Sequence, residues 1–299
     1  MPLLSRAFRL LLIVLGASAL AGAAAASPSS TAAREAYNSG DMGKAAALAA
    51  STGDRWTGGL AAFRTKRYAD ALDIFSAVAK DPAEAAARRG AAAFWAARSA
   101  ESAGRTNEVD GFLKIAARSA DGLYALLAKS RLGVTGAPAL AGRLPMPTLS
   151  PDGGFTQDKA LIYALVKKES GFNAAARSGS NHGLMQLSAE TARRLGGSAA
   201  GLLDAGANLR LGQAYVGKLL AATKGDLVKA LAGYTMGPDK VNRATAGLGA
   251  KADALLVMES LPGESVRGYV RKVLADYWGY RFALKQDAGA FELAALAGG

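Results

Sequence analysis

The chain has 299 residues, 51% of them hydrophobic, and a formal net charge of +12. It contains no cysteine and a single histidine, His182, which excludes disulfides, thiolate metal sites, a thiol nucleophile, an acylated cysteine anchor and any multi-histidine metal centre. A histidine-based triad stays open in principle, and the fold has to rest on packing alone. The first residues, with Arg6 and Arg9 ahead of an apolar run from Leu10 to about Leu20 and the small residues Ala21 to Ala26, read as a removable secretory signal over 1–26. A transmembrane anchor is the other reading, but the run falls short of the roughly 20 residues a span needs.

Residues 27–135 are alanine-rich and carry helical spacing. Tyr68, Ala71, Leu72, Phe75, Val78 and Ala79 recur at three- and four-residue intervals and mark one face of a helix. Phe94 and Trp95 belong to a second helix, and Phe112, Ile115 and Ala116 to a third. Tyr37, Asp41, Met42 and Ala45 are echoed by Phe63, Arg67, Tyr68 and Ala71, so the region reads as helical hairpins resembling tetratricopeptide repeats. Each aromatic residue there reads as hairpin core, while the region as a whole reads as a superhelical arm that docks protein partners or guides substrate.

Gly136, Pro138, Pro145, Pro147, Pro151, Gly153 and Gly154 cluster over 136–155, and this clustering predicts a linker. The region 156–285 returns to helical patterning interrupted by glycine-rich loops, and 286–299 is a C-terminal tail. No segment alternates apolar and polar residues over strand length, so the whole chain is predicted to be all-α.

The residue that draws attention in the second region is Glu169. A helix over 158–170 places Leu161, Leu165 and Glu169 on one stripe, so the carboxylate stands where an apolar residue would continue the core-facing side. A carboxyl partly shielded from water has its pKa raised and can act as a general acid. On its own such a residue is more often a solvated helix end or the partner of Lys167 or Lys168. Four motifs follow in order: Glu169-Ser170, then Gly183-Leu184-Met185-Gln186, then Tyr234-Thr235-Met236-Gly237-Pro238, and finally Glu259-Ser260-Leu261-Pro262 with Glu264, Arg267, Tyr269 and Val270.

This series resembles the catalytic domain of the soluble lytic transglycosylases, whose fold is similar to goose-type lysozyme, and the upstream hairpins are similar to the helical superhelix of larger members. The resemblance implies a lysozyme-like helical catalytic domain in which Glu169 is the single acid/base. It would protonate the glycosidic oxygen between N-acetylmuramic acid and N-acetylglucosamine and then deprotonate the muramoyl C6 hydroxyl, closing a 1,6-anhydro ring without water. It further implies substrate-binding roles for Ser178, Gln186, Tyr234 and Glu264, with no cofactor and no metal. Tyr234 is expected near Glu169, Ser178 is expected to bond toward its carboxyl or the sugar, and Glu264 is expected to line the groove.

The usual two-carboxylate scheme needs a second acid across the scissile bond. Glu190, after a candidate N-cap at Ser188, reads instead as a complement to a helix dipole. Leu184 and Met185 read as core or as groove wall, and His182 as a substrate contact or a loop cap. Ser188-Ala189 and Thr235 depart from the family pattern, which commonly has Met-Pro and Asn there, and the loop 178–183 is about one residue short of that pattern. The expected partner is peptidoglycan in the periplasm, whose peptide carboxylates suit a basic chain, with no nucleic acid and no membrane span in the mature protein. A hydrolytic muramidase and a non-catalytic wall-binding scaffold are the alternatives.

Overall fold

The computed structural model describes residues 28–119, 122–134, 138–248 and 252–286. The segment read as a secretory signal lies outside the described residues, as does all but the first residue of the tail. Among the described residues there are fourteen α-helices, three 3-10 turns and three two-residue strands, so the chain is all-α. No described helix is long and apolar enough to cross a membrane.

Helices α1 (Pro28–Ser39), α2 (Met42–Thr52), α3 (Arg55–Arg64), α4 (Tyr68–Lys80), α5 (Ala86–Ser102), α6 (Thr106–Ala117) and α7 (Leu123–Arg131) build the arm, each packing on the next. The echo in the sequence corresponds to a repeated helix ending. At Gly40, Lys66 and Gly104 the backbone turns into the left-handed region (φ 92, 62 and 77°). At each the following amide bonds back five residues, Asp41 to Ala36, Arg67 to Ala62 and Arg105 to Ala100. This left-handed closure satisfies otherwise orphaned carbonyls and sends the chain back along the helix it has left. The hairpin interiors hold Phe63, Phe75 and Trp95, with Phe63 edge-on to Trp95 at 5.1 Å and Phe75 stacked on it at 5.9 Å.

The proline- and glycine-rich segment after the arm has little regular structure, yet Leu140, Ala141, Leu144, Leu149 and Pro151 are buried. It lies against the last helix of the chain, where Tyr280 donates to the Pro145 carbonyl, while Tyr163 donates to that of Pro147.

The second region comprises α8 (Lys159–Ser170), strands β1 (Arg177–Ser178), β2 (Asn181–His182) and β3 (Leu187–Ser188), then α9 (Ala189–Arg194), α10 (Ala205–Ala222), α11 (Leu227–Met236), α12 (Pro238–Thr245), α13 (Ala254–Ser260) and α14 (Glu264–Ala283). The strands form an antiparallel sheet in chain order, too short for an alternating pattern to show in the sequence. Helix α14 packs on α8, α11, α13 and α7, so it touches both the arm and the site helix. One hydrophobic core runs without a break from Ala36 in the arm to Tyr280 in α14.

Candidate active site

Helix α8 starts on Asp158, whose carboxylate accepts from the amides of Ala160 and Leu161, and ends on Gly171 in the left-handed conformation (φ 58°). Between these caps Leu161 and Leu165 are buried, and the stripe they define ends at half-buried Glu169. Neither neighbouring lysine takes it as an ion-pair partner. Lys167 turns to Asp276 on α14 at 2.8 Å, and Lys168 lies over the Tyr269 ring at 5.5 Å. Glu169 Oε1 instead accepts a 2.6 Å hydrogen bond from the Tyr269 hydroxyl. Burial pushes the Glu169 carboxyl above its ordinary value, while the Tyr269 bond and the Lys168 charge pull less strongly in the other direction.

Tyr269 and Tyr234 are both raised well above the ordinary tyrosine value, first by burial and then by the nearby Glu169 charge. Both phenols therefore stay protonated and can donate. The Tyr234 hydroxyl gives its proton to the Met185 carbonyl at 2.7 Å, and its ring packs against Tyr215 at 5.2 Å. Sequence reasoning places Tyr234 near the acid and gives Tyr269 no role; the structure brings both to Glu169, with Tyr269 as the donor. The Arg267-Gly268-Tyr269-Val270 motif names the residue but not its orientation, which shows only in the packing: Tyr269 lies seven residues before Asp276 and shares the helix face that Asp276 turns to Lys167.

The loop from Gly171 to Ser188 is closed by side chains from α10 and α11. Asn208, fully buried, accepts from the Met185 amide at 2.8 Å and donates to the carbonyls of Leu202 and His182. Gly183 stands at φ 79°, and a methyl group there would overlap Asn208 Nδ2 and the Leu202 carbonyl. Gly212, one helical turn beyond Asn208, leaves room for the Met185 side chain, whose sulfur would meet a methyl at that position. Met185 is thus held at its amide, its carbonyl and its side chain, and it is wholly buried. Phe172 and Gln186, at the two ends of the loop, adopt left-handed φ of 69 and 46°, a strained conformation that needs such bracing.

Gln186 is 7% exposed and its amide nitrogen donates to the carbonyls of Gly183 (2.8 Å) and Ala176 (3.1 Å), leaving its amide oxygen buried without a protein partner. Ser178 is exposed on β1 opposite Asn181. Glu264 opens α14 with a side chain 64% exposed and forms ion pairs with Arg267 and Arg271. Neither residue hydrogen-bonds Glu169. Ser188 caps α9 by accepting from the Thr191 amide, Glu190 lies in the exposed first turn paired with Arg194 at 2.5 Å, and His182 donates to the Ser180 carbonyl at 3.0 Å. Thr235 turns its hydroxyl back to Ala232 of its own helix at 2.9 Å. Among the described residues no cluster of acidic and histidine side chains is arranged to hold a metal ion.

Residues 152–257, which include the Glu169 helix, the Met185 loop and Tyr234, match the model of the family described as Transglycosylase SLT domain. They are an SLT-type transglycosylase domain. The chain is 31% identical over 134 residues to the soluble lytic murein transglycosylases of Escherichia coli K12 and O157:H7. That alignment takes in 42% of this chain and spans about a fifth (21%) of the relatives' length. The fold extends further than the sequence match. A lytic transglycosylase Slt of Pseudomonas aeruginosa, solved as an inactive mutant, superposes with a TM-score of 0.66 at 20% identity, over 86% of this chain and 57% of that one. The 70 kDa soluble lytic transglycosylase of Escherichia coli gives 0.52 at 17% identity, over 88% and 52%. The superposed length takes in arm and SLT domain together, while Tyr269 on α14 lies beyond the segment matched by the family model.

Proposed function

We propose that this chain is a periplasmic peptidoglycan lytic transglycosylase that cleaves the bond between N-acetylmuramic acid and N-acetylglucosamine with Glu169 as its acid/base, leaving 1,6-anhydro ends. The observation that carries the reading is a half-buried carboxyl, raised in pKa and held by one tyrosine hydroxyl, within an SLT domain. Protonated, Glu169 delivers its proton to the glycosidic oxygen; ionised, it takes the proton of the muramoyl C6 hydroxyl as that oxygen attacks C1. The bond from C1 to the leaving oxygen breaks, a C1–O6 bond forms, and the proton count balances without water. Tyr269 serves both halves, since its hydroxyl fixes the carboxyl and stabilises the anion formed after the first transfer.

The carboxylates around the site support an internal nucleophile. Burial, Tyr269 and Lys168 account for the displacement of the Glu169 pKa, with no acidic neighbour among the causes. Glu190 is exposed and paired with Arg194, and Glu264 is held by two arginines. A two-carboxylate glycosidase needs its second acid across the bond, within about 5–10 Å of the first. Gln186, with its nitrogen committed to the carbonyls of Gly183 and Ala176 and its amide oxygen buried, braces the loop of 183–186. Ser178, exposed on the mini-sheet, is the hydroxyl offered to the sugar or the acid, while Glu264 at the start of α14 is engaged by Arg267 and Arg271.

Mass spectrometry of muropeptides released from purified peptidoglycan tests the reading. Anhydro-muramoyl ends are expected. Reducing ends would make the enzyme a hydrolytic muramidase, and no release would leave a wall-binding protein.

A further inference from the structure

Helix α14 is used on two opposite sides. Tyr269 and Asp276 face α8, where they bond Glu169 and Lys167. Arg267 and Arg271 face the other way: Arg267 donates to the Leu261 carbonyl at 2.7 Å, and Arg271 donates to Glu259 at 3.2 Å. Glu259 on α13 is fully buried, and the arm supplies its other donors. Trp56 of α3 donates its indole N–H to Oε2 at 3.3 Å, and Tyr124 of α7 donates its hydroxyl to Oε1 at 2.7 Å while accepting from Trp95 of α5 at 3.2 Å. Beside this hub Arg98 of α5 forms a two-pronged pair, 2.6 and 3.2 Å, with Asp253, the N-cap of α13. Burial opposes ionisation of Glu259, but Arg271, Arg34, the Tyr124 bond and Arg267 outweigh it and keep the group an anion.

A buried charged hub adds little stability over an apolar set of the same shape, because desolvation offsets the attraction. What a directional network does supply is orientation, since each donor must meet a fixed lone pair. We propose that Trp56 and Tyr124 are positioning residues for the reaction: by fixing Glu259, and through it Arg271, they set the rotation of α14 that brings the Tyr269 hydroxyl onto Glu169. This rests on the catalytic reading of Glu169. A tyrosine hydroxyl stands far enough from its helix axis that a rotation of about 10° moves it by about 1 Å, and misplacement of that order costs up to about a hundredfold in rate. The charged and titratable groups facing Glu169 are Lys168 on its own helix, Tyr234 on α11 and Tyr269 on α14. Of these, Tyr269 is the one carried by α14.

The test uses the full chain with Trp56→Phe and Tyr124→Phe combined, which removes two donors while leaving an aromatic ring at each position. Two quantities are read: turnover on purified peptidoglycan, and the titration of the Glu169 carboxyl by 13C NMR, assigned by the signal lost in Glu169→Gln. The expected result is a fall of about tenfold in kcat with KM little changed, together with a Glu169 titration displaced to higher pH, in the direction produced by Tyr269→Phe. If the melting temperature falls while both quantities keep their wild-type values, the arm only stabilises the chain and the proposal is wrong. Should the double variant fail to fold, Tyr124→Phe alone is judged by the same two quantities. The titration needs no activity, so the two ideas fail separately: a Glu169→Gln variant that still clears peptidoglycan ends the catalytic reading, whereas an unmoved titration ends the positioning role.

Discussion

Tyr269 on α14 donates a 2.6 Å hydrogen bond to Glu169 at the end of α8. Two helices separated by 100 positions in the chain are joined at the reacting group, and the bond opposes the effect of burial on the same carboxyl. Burial favours the protonated form that the first half of the reaction requires, and the tyrosine favours the anion that the second half requires.

Tyr269→Phe removes the interaction that favours the carboxylate, so the Glu169 pKa rises further. A general acid is active only while protonated, hence the alkaline limb of the pH–rate profile moves to higher pH. The maximal rate falls, because the carboxyl loses its fixed orientation and the anion its donor. A pH profile of kcat for the variant beside the wild type checks both outcomes, and an unmoved limb would remove Tyr269 from the account.

Glu169→Gln is expected to stabilise the fold at neutral pH. The folded pKa of Glu169 lies above its unfolded value, so the folded state binds the extra proton and the favourable contribution is complete below the unfolded pKa. That contribution is lost as pH rises through the folded pKa, where the fold must hold a half-buried anion. Glutamine avoids the charge and still accepts from Tyr269. Thermal melts across pH should show the variant ahead of the wild type near pH 7, with the gap closing on acidification below the ordinary glutamate pKa.

Much of this site is readable in the sequence, and what escapes it does so for physical reasons. The stripe Leu161, Leu165, Glu169 fixes which side of α8 the acid occupies, because helix periodicity is local. The glycines at 183 and 212 are visible as residues, but the need for them arises only when Asn208 and Met185 arrive from other segments. Which tyrosine bonds the acid depends on how α14 is rotated against α8, a tertiary property that no spacing encodes. The same holds for Glu259, which reads as one member of a motif and becomes a buried hub because Trp56 and Tyr124 meet it from the arm. The prolines and glycines of 136–155 are helix breakers, but helix-breaking says nothing of burial, and Leu140, Leu144 and Leu149 of that stretch are in the core.

Glu259→Ala takes the acceptor from the donors of Trp56 and Tyr124 and from Arg271 Nη1, leaving Arg271 only Glu264. Removing one partner of a buried ion pair costs about 3–5 kcal/mol, so the chain should melt at markedly lower temperature. The sign with pH is the reverse of that for Glu169: the folded pKa of Glu259 is lowered, so its stabilisation is present above the unfolded pKa and disappears as pH falls through the folded one. The wild type should therefore exceed the variant most at neutral pH and least in acid, as read by calorimetry.

Asn208→Ala and Gly183→Ala attack the loop that carries Met185 and Gln186. The first strips partners from the Met185 amide and the Leu202 carbonyl, each worth about 1–3 kcal/mol when buried and unsatisfied. The second forces a methyl into the side chain of Asn208 and adds a left-handed backbone penalty of about 1 kcal/mol. Both variants should lose stability in denaturant titrations and lose turnover beyond what their unfolded fraction explains, because Tyr234 is tied to the same loop through the Met185 carbonyl.

The most direct test of the account is digestion of purified peptidoglycan by the wild type and by Glu169→Gln, followed by turbidity and by quantification of released muropeptides. Acid/base catalysis by one group predicts a loss of about 10²–10⁴-fold in the variant with its fold intact. Clearance by Glu169→Gln at the wild-type rate would contradict it.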